Sequence, residues 1–153
     1  MRKWLKHLKN QKGLTLIELL AVVVILGIIA AIAVPAIGNI IDNSKEDAHK
    51  SNALLIINAA KLGIVSGDIT PAIYSNGITL DELVSVGVLD AVPSNPSIDG
   101  QNYDGTQSLV TYTKTTNNAT YNITLTVKGS TTKKYYDNVS ESAINAGQNP
   151  LKP

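Results

Sequence analysis

One carboxylate interrupts the most apolar stretch of this chain. Between Leu14 and Ile41 Glu18 is the only charged residue, and Leu19 to Ile41 carries no charge at all. A charge at the centre of a membrane helix costs about 2.5–3.5 kcal/mol, and less near an end. The Glu18 carboxylate therefore calls for a cation to pair with, unless it simply marks a helix start, where the positive end of the dipole favours an acid. Other chemistries are poorly supplied. The 153 residues include no Cys and two His, which removes thiol catalysis, disulfide frameworks and thiolate metal sites together. His7 lies in the basic N-terminal segment, so a Ser-His-Asp type of enzyme would have to use His49, which the pattern puts on an exposed helical stalk. Asp99, Asn102 and Asp104 beside Gly100 and Gly105 offer the oxygen ligands of a small Ca²⁺ loop, although an ordinary polar turn needs the same residues. The sequons at Asn118, Asn122 and Asn138 are chance matches expected where Asn and Thr are abundant. No cofactor, metal or catalysed reaction is called for.

The elements that must position Glu18 follow from charge and hydropathy. Five of the thirteen basic residues, Arg2, Lys3, Lys6, Lys9 and Lys12, precede the first acidic one. Beyond them eight Lys face twelve acidic residues, so binding nucleic acid through a broad basic face is not expected. The apolar run is long enough for the roughly 20 residues that cross a bilayer core of about 30 Å, and too long for a secretory h-region of about 7–15. Basic residues ahead of it keep that end cytoplasmic and put the C-terminal part outside. In lipid the backbone must satisfy itself, so the β-branched run from Val22 to Ile29 is helical despite its modest intrinsic propensity. Ala21, Gly27, Ala30, Ala31, Ala33 and Gly38 would let neighbouring helices approach closely. Pro35, with Gly38 behind it, should kink or loosen the helix without ending it.

Past Asp42 the pattern turns amphipathic. Asp47, Lys50, Ser51, Asn58 and Lys61 share one face, and Leu55, Ile56, Ala59 and Leu62 another expected to be core. The helix should run to about Ser66, before Gly67 and Pro71, giving on the order of 80 Å at 1.5 Å per residue. Thr79 caps a short helix over Leu80 to Val86, and Pro93, Pro96 and Gly100 break the chain into turns. Strict alternation from Thr120 to Val127 predicts a half-buried strand, flanked by Leu109 to Thr113 and Thr131 to Tyr136. All six tyrosines lie between Tyr74 and Tyr136, where strands favour Tyr for packing, and their absence from the apolar run argues against electron conduction along stacked rings. The chain thus divides into a leader (1–13), a membrane helix (14–41), an amphipathic helix (42–66), a connecting loop (67–106), a β-meander (107–137) and a loosely held, variable tail (138–153). The fold class is α+β: a long N-terminal helix packed against a small antiparallel sheet of about three strands.

The stretch Lys12-Gly13-Leu14-Thr15-Leu16-Ile17-Glu18-Leu19-Leu20 closely resembles the prepilin peptidase site of type IV pilins and pseudopilins. The close resemblance covers about Lys12 to Asn43, and the rest matches in layout. It implies that a membrane peptidase cuts between Gly13 and Leu14 and methylates the new amine of Leu14, while the apolar helix is retained. The residues suit such a cut: Gly13 offers no side chain to obstruct a peptidase, and the five basic groups hold the leader inside. The resemblance further implies that Glu18 pairs with the amine of a neighbouring subunit during assembly. That amine, with an unperturbed pKa of about 7.7–8.0, would be the missing cation.

Partners implied in the same way are further copies of the chain, the prepilin peptidase and methyltransferase, a cytoplasmic assembly ATPase and a polytopic platform protein, with membrane lipid around the helix before assembly. The product would be an open helical filament at the cell surface, serving adhesion, motility or DNA uptake. A pseudopilin of a secretion or competence system shares every N-terminal feature, and a monomeric membrane-anchored domain is the remaining alternative. Leu14 stands where Phe is commonest, and no Cys pair closes the C-terminal loop. Both departures, with Leu80 to Leu89 followed by Pro93 and Pro96, suit a Gram-positive source.

Overall fold

The computed structural model describes residues 15–71 and 74–153; the basic leader with Gly13 and Leu14 lies outside the described residues. Helix α1 is Arg2–Ser66, and the chain falls into two units, Met1–Asn43 and Ser44–Pro153. Within the first unit, Pro35 sits inside the helix, and the helical conformation continues through Gly38. The second unit is the head. It contains the rest of α1, then α2 (Pro71–Tyr74), β1 (Ile78–Thr79), α3 (Leu80–Ser85), β2 (Leu109–Lys114), β3 (Ala119–Thr126), β4 (Lys134–Ser140) and α4 (Glu141–Asn145).

The head is built on the face of α1 that carries His49, Ala53, Ile56, Ile57 and Ala60, each at most 2% exposed. Small residues on that face let other segments come close. The side chain of Ile69 packs so tightly on Gly63 that a Cβ there would lie 2.4 Å from its Cδ1. The Ile69 amide also donates to the Gly63 carbonyl at 2.9 Å, folding the chain back over the end of α1. Gly67, at φ +87°, supplies the left-handed residue that stops the helix.

The sheet is antiparallel in the order β1-β2-β3-β4, four strands where the sequence reading expects about three. The addition is β1, whose two residues pair with Val110 and Leu109. It is too short for alternation to register, and Thr79 passes directly into α3 as its cap. Its hydroxyl accepts the Glu82 amide at 3.2 Å, and the Glu82 carboxylate accepts the Thr79 amide at 2.7 Å. This reciprocal box is what the Thr-x-x-Glu spacing provides. Strand β4 starts at Lys134, later than expected, and runs on to Ser140. Its register on β3 shifts between Ile123 and Leu125, and Asn138 takes φ +52°, a left-handed conformation that Asn tolerates better than most residues. Val110, Ile123, Leu125 and Tyr136 are fully buried beneath α1.

Two expectations about the head are corrected. The tail is held rather than loose: the Ser140 hydroxyl caps α4 by accepting the Ala143 amide at 3.3 Å, Ile144 is buried, and the Leu151 amide donates to the Tyr135 carbonyl at 2.6 Å. Lys152 pairs with Glu46 at 3.5 Å and Lys61 with Glu141, so the C-terminal segment is tied to α1 at two points. Irregular docking of this kind leaves no period in the sequence. The second correction concerns α1. Leu55 and Leu62, expected in the core, are 52% and 59% exposed, and they share the outer face with Ser51 and Asn58.

His49 is likewise buried, not on an exposed stalk. Its ring stacks on Tyr135 with centroids 3.9 Å apart. Nδ1 lies 2.6 Å from the Tyr103 hydroxyl and Nε2 lies 2.9 Å from Ser97 Oγ. With Asn52 Nδ2 donating to the Tyr103 oxygen, a hydrogen-bonded cluster joins His49 to two hydroxyls of the connecting loop. It is a tie that fastens the connecting loop to α1.

Truncating Ile123 to Ala should destabilise the head by about 2–5 kcal/mol, readable as a lowered urea midpoint. A second expectation concerns pH. Burial lowers the His49 pKa from 6.5 to about 4, so between these values the unfolded chain binds a proton that the folded chain does not. Stability contributed by neutral His49 is fully present above about pH 6.5 and is lost as pH falls towards about 4, on the order of 3 kcal/mol. Denaturation of the detergent-solubilised chain at stepped pH, followed by tyrosine circular dichroism, should show this loss, and His49→Gln should flatten it.

Candidate functional site

The surface that sets this molecule apart is the first half of α1. From Leu16 to Ile41 sixteen large apolar side chains are between 48% and 70% exposed, around the whole circumference of the helix. Ordinary soluble monomers do not present contiguous apolar surface on this scale. Among the described residues this is the one helix apolar and long enough to cross a membrane, with a mean hydropathy of 3.0 in its richest window. Gly27 and Gly38 have no atom within 4 Å of where a Cβ would stand. The chain's own packing therefore does not require glycine there, and the space is open to a neighbour.

Glu18 projects from this surface, exposed. The ion pairs among the described residues join Lys50 to Asp47, Lys61 to Glu141, Lys134 to Asp137 and Lys152 to Glu46, and none reaches Glu18. Gly13 and Leu14, the other half of the motif, lie outside the described residues.

Asp104 is committed to its own turn. Its Oδ1 accepts the amides of Thr106 and Gln107 at 3.1 and 2.9 Å and the Thr106 hydroxyl at 2.9 Å, and its Oδ2 accepts the Gly129 amide at 3.0 Å. Burial alone would raise this carboxyl, but these donors outweigh it and hold it below the usual carboxylate range. The polar-turn reading thus accounts for Asp104. Tyr103, Tyr135 and Tyr136 are buried. Tyr74, Tyr112 and Tyr121 pack edge to face or tilted at 5.2 and 5.0 Å, which assigns the tyrosines to packing. What sequence reasoning misses is the exposed apolar strip on the outer half of α1. A signal for it exists in the 4-3 spacing of Ser51, Leu55, Asn58, Leu62 and Val65, but the amphipathic pattern assigns Leu55 and Leu62 to the core.

Residues 8–34 match the prokaryotic N-terminal methylation motif. A fimbrial protein of Pseudomonas aeruginosa is 33% identical over 108 residues, which span 67% of this chain and 68% of the relative. A second fimbrial protein of that organism matches to the same extent. Both relatives come from a Gram-negative organism and lend no support to a Gram-positive source. No solved structure matches the chain. An alignment of 108 residues cannot be contained in the 65 residues of α1, so the likeness extends beyond the helix. The chain belongs to the type IV pilin-like family of fimbrial proteins, structural and not enzymatic, and that membership implies processing by a prepilin peptidase and polymerisation.

Proposed function

We propose that the chain is the subunit of a surface type IV pilus. A prepilin peptidase cuts between Gly13 and Leu14 and methylates the Leu14 amine. The mature subunit waits in the cytoplasmic membrane with its head outside, and an assembly ATPase and platform protein then add it to the filament. Glu18 pairs with the Leu14 amine of a neighbouring copy, and Pro35 and Gly38 loosen the helix where copies crowd. The observation that carries this reading is the exposed apolar helix with one carboxylate near its start, unpaired among the described residues. Lipid can cover the side chains of such a helix, a carboxylate there is stabilised by a cation, and cleavage before Leu14 creates one four residues away. The name fimbrial protein borne by the relatives favours a pilus over a pseudopilus. Adhesion, motility and DNA uptake are uses open to such a filament.

The test is intact mass and N-terminal peptide sequencing of protein sheared from the native cell surface. The expected species begins at N-methylated Leu14. Recovery only in the membrane fraction, with residues 1–13 attached, would leave a monomeric anchored domain. Cleaved chain that never reaches the sheared fraction would point to a pseudopilin.

Glu18→Ala should leave cleavage intact while lowering filament recovery by about tenfold or more, since each 1.4 kcal/mol of lost pairing is tenfold. Glu18→Asp should restore part of it. Equal recovery from Glu18→Ala and the parent would remove the pairing role.

A further inference from the structure

We propose that Asn76 is a site of spontaneous covalent modification, at which the amide nitrogen of Gly77 attacks the Asn76 side-chain carbonyl and converts the residue to aspartate and isoaspartate. The inference concerns the head alone and does not depend on whether the chain polymerises. A bond forms between Gly77 N and Asn76 Cγ, the Gly77 amide proton passes to base, and the Asn76 Cγ–Nδ2 bond breaks with release of ammonia. Water then opens the cyclic imide at either of its carbonyls. The net change is asparagine plus water to a carboxyl group plus ammonia, with no oxidant or reductant.

Ring closure depends on what crowds the attacking nitrogen and on how firmly the turn is held. Asn76 is the one asparagine of the chain that glycine follows, and glycine has no Cβ to obstruct the approach. The fold needs that glycine. Gly77 takes φ +92°, and a Cβ there would lie 3.0 Å from Leu109 Cδ1, so the residue that permits the attack cannot be exchanged without strain. Asn76 itself is exposed in the turn between α2 and β1, open to the water that hydrolyses the imide. The Gly77 amide donates to the Tyr74 carbonyl at 3.3 Å, beyond the roughly 2.7–3.2 Å of well-formed bonds of this kind, so little holds the nitrogen back. Other asparagines are placed differently. Asn95 is buried and precedes Pro96, which has no amide proton. Asn122 Nδ2 donates to Asn138 Oδ1 at 3.2 Å, and β-branched Ile123 and Val139 follow these two.

The turn has little slack. Tyr74 packs edge to face on Tyr112 at 5.2 Å, and Ile78, fully buried, pairs with Val110. Isoaspartate routes the main chain through the side-chain carbons and so inserts one more atom between these anchors, which loosens β1. Aspartate keeps the original path and only adds a negative charge.

The full chain in detergent would be incubated at neutral and at mildly alkaline pH beside a synthetic peptide of residues 74–79. Peptide mapping with a fragmentation method that separates aspartate from isoaspartate then locates the product. The expected result is conversion at Asn76, faster at the higher pH and within about tenfold of the peptide rate, because a weakly held turn opens at little cost. An acidic isoform should accompany it and be absent from Asn76→Ser. Slower conversion than that, or conversion spread equally over Asn118 and Asn145, which precede alanine, would overturn the proposal. Once the two products are separated, the isoaspartate form should have the lower urea midpoint. Equal midpoints would remove the loosening of β1.

Discussion

The constraint on which the molecule depends is that one helix has to satisfy its surroundings along its whole length, and those surroundings differ. The backbone of α1 bonds within itself, which is the condition for entering lipid. Its side chains then determine what covers it. From Leu19 to Gly38 they are apolar on every side, so the cover must be hydrocarbon or other apolar surface. From Ser44 the helix belongs to the head, and cover is provided by the sheet on one face. The head is the unit folded on the outer half of that element.

Much of this is written locally and could be read in advance. The uncharged run, the basic residues ahead of it and the position of Glu18 need only composition and order. The cap of α3 needs four residues, Thr79 to Glu82, and β3 announces itself by alternation. What escapes detection depends on groups distant in sequence. His49 is buried because Tyr103 and Ser97, 54 and 48 residues later, return to its two ring nitrogens. Its near neighbours Lys50 and Asp47, themselves an ion pair, suggest an exposed face. The C-terminal segment is held by Glu46 and Lys61, each far upstream on α1. Strand β1 exists only because Leu109 and Val110 lie beside it. The Glu18 site is legible in residue types, but if the chain is a pilus subunit the cation belongs to another molecule, and no single chain can display the completed pair.

The head is fastened to α1 by polar ties around an apolar centre. His49 holds the connecting loop, Lys61 and Glu46 hold the C-terminal segment, and the turn at Asp104 reaches across to Gly129. Exposed ion pairs contribute little individually, and the buried apolar contacts of Ile56, Ile57, Ile123 and Leu125 carry the larger share. The polar ties instead fix which segment lies where. Three such ties converge on the helix from sequence positions as far apart as Ser97, Glu141 and Lys152. A filament subunit has to present one repeated shape to its neighbours, and directional bonds of this kind specify a shape better than apolar burial does.

The distribution of large and small residues on the outer half of α1 separates a helix made for one partner from a helix made for two. A helix that served only the head would place its leucines inward, where each fully buried side chain contributes about 1.5–3 kcal/mol. Here the inward positions include Ala53, Ala59, Ala60 and Gly63, and two of the four leucines and isoleucines from Leu54 to Ile57 lie outside the fully buried core. Small inward residues let Ile69 close onto the helix at Gly63. Leu55, Leu62 and Val65, left outside, then project to the full radius of the helix on the opposite face. That arrangement forgoes part of the stability available to the isolated subunit and leaves apolar surface on α1 that the head itself does not cover.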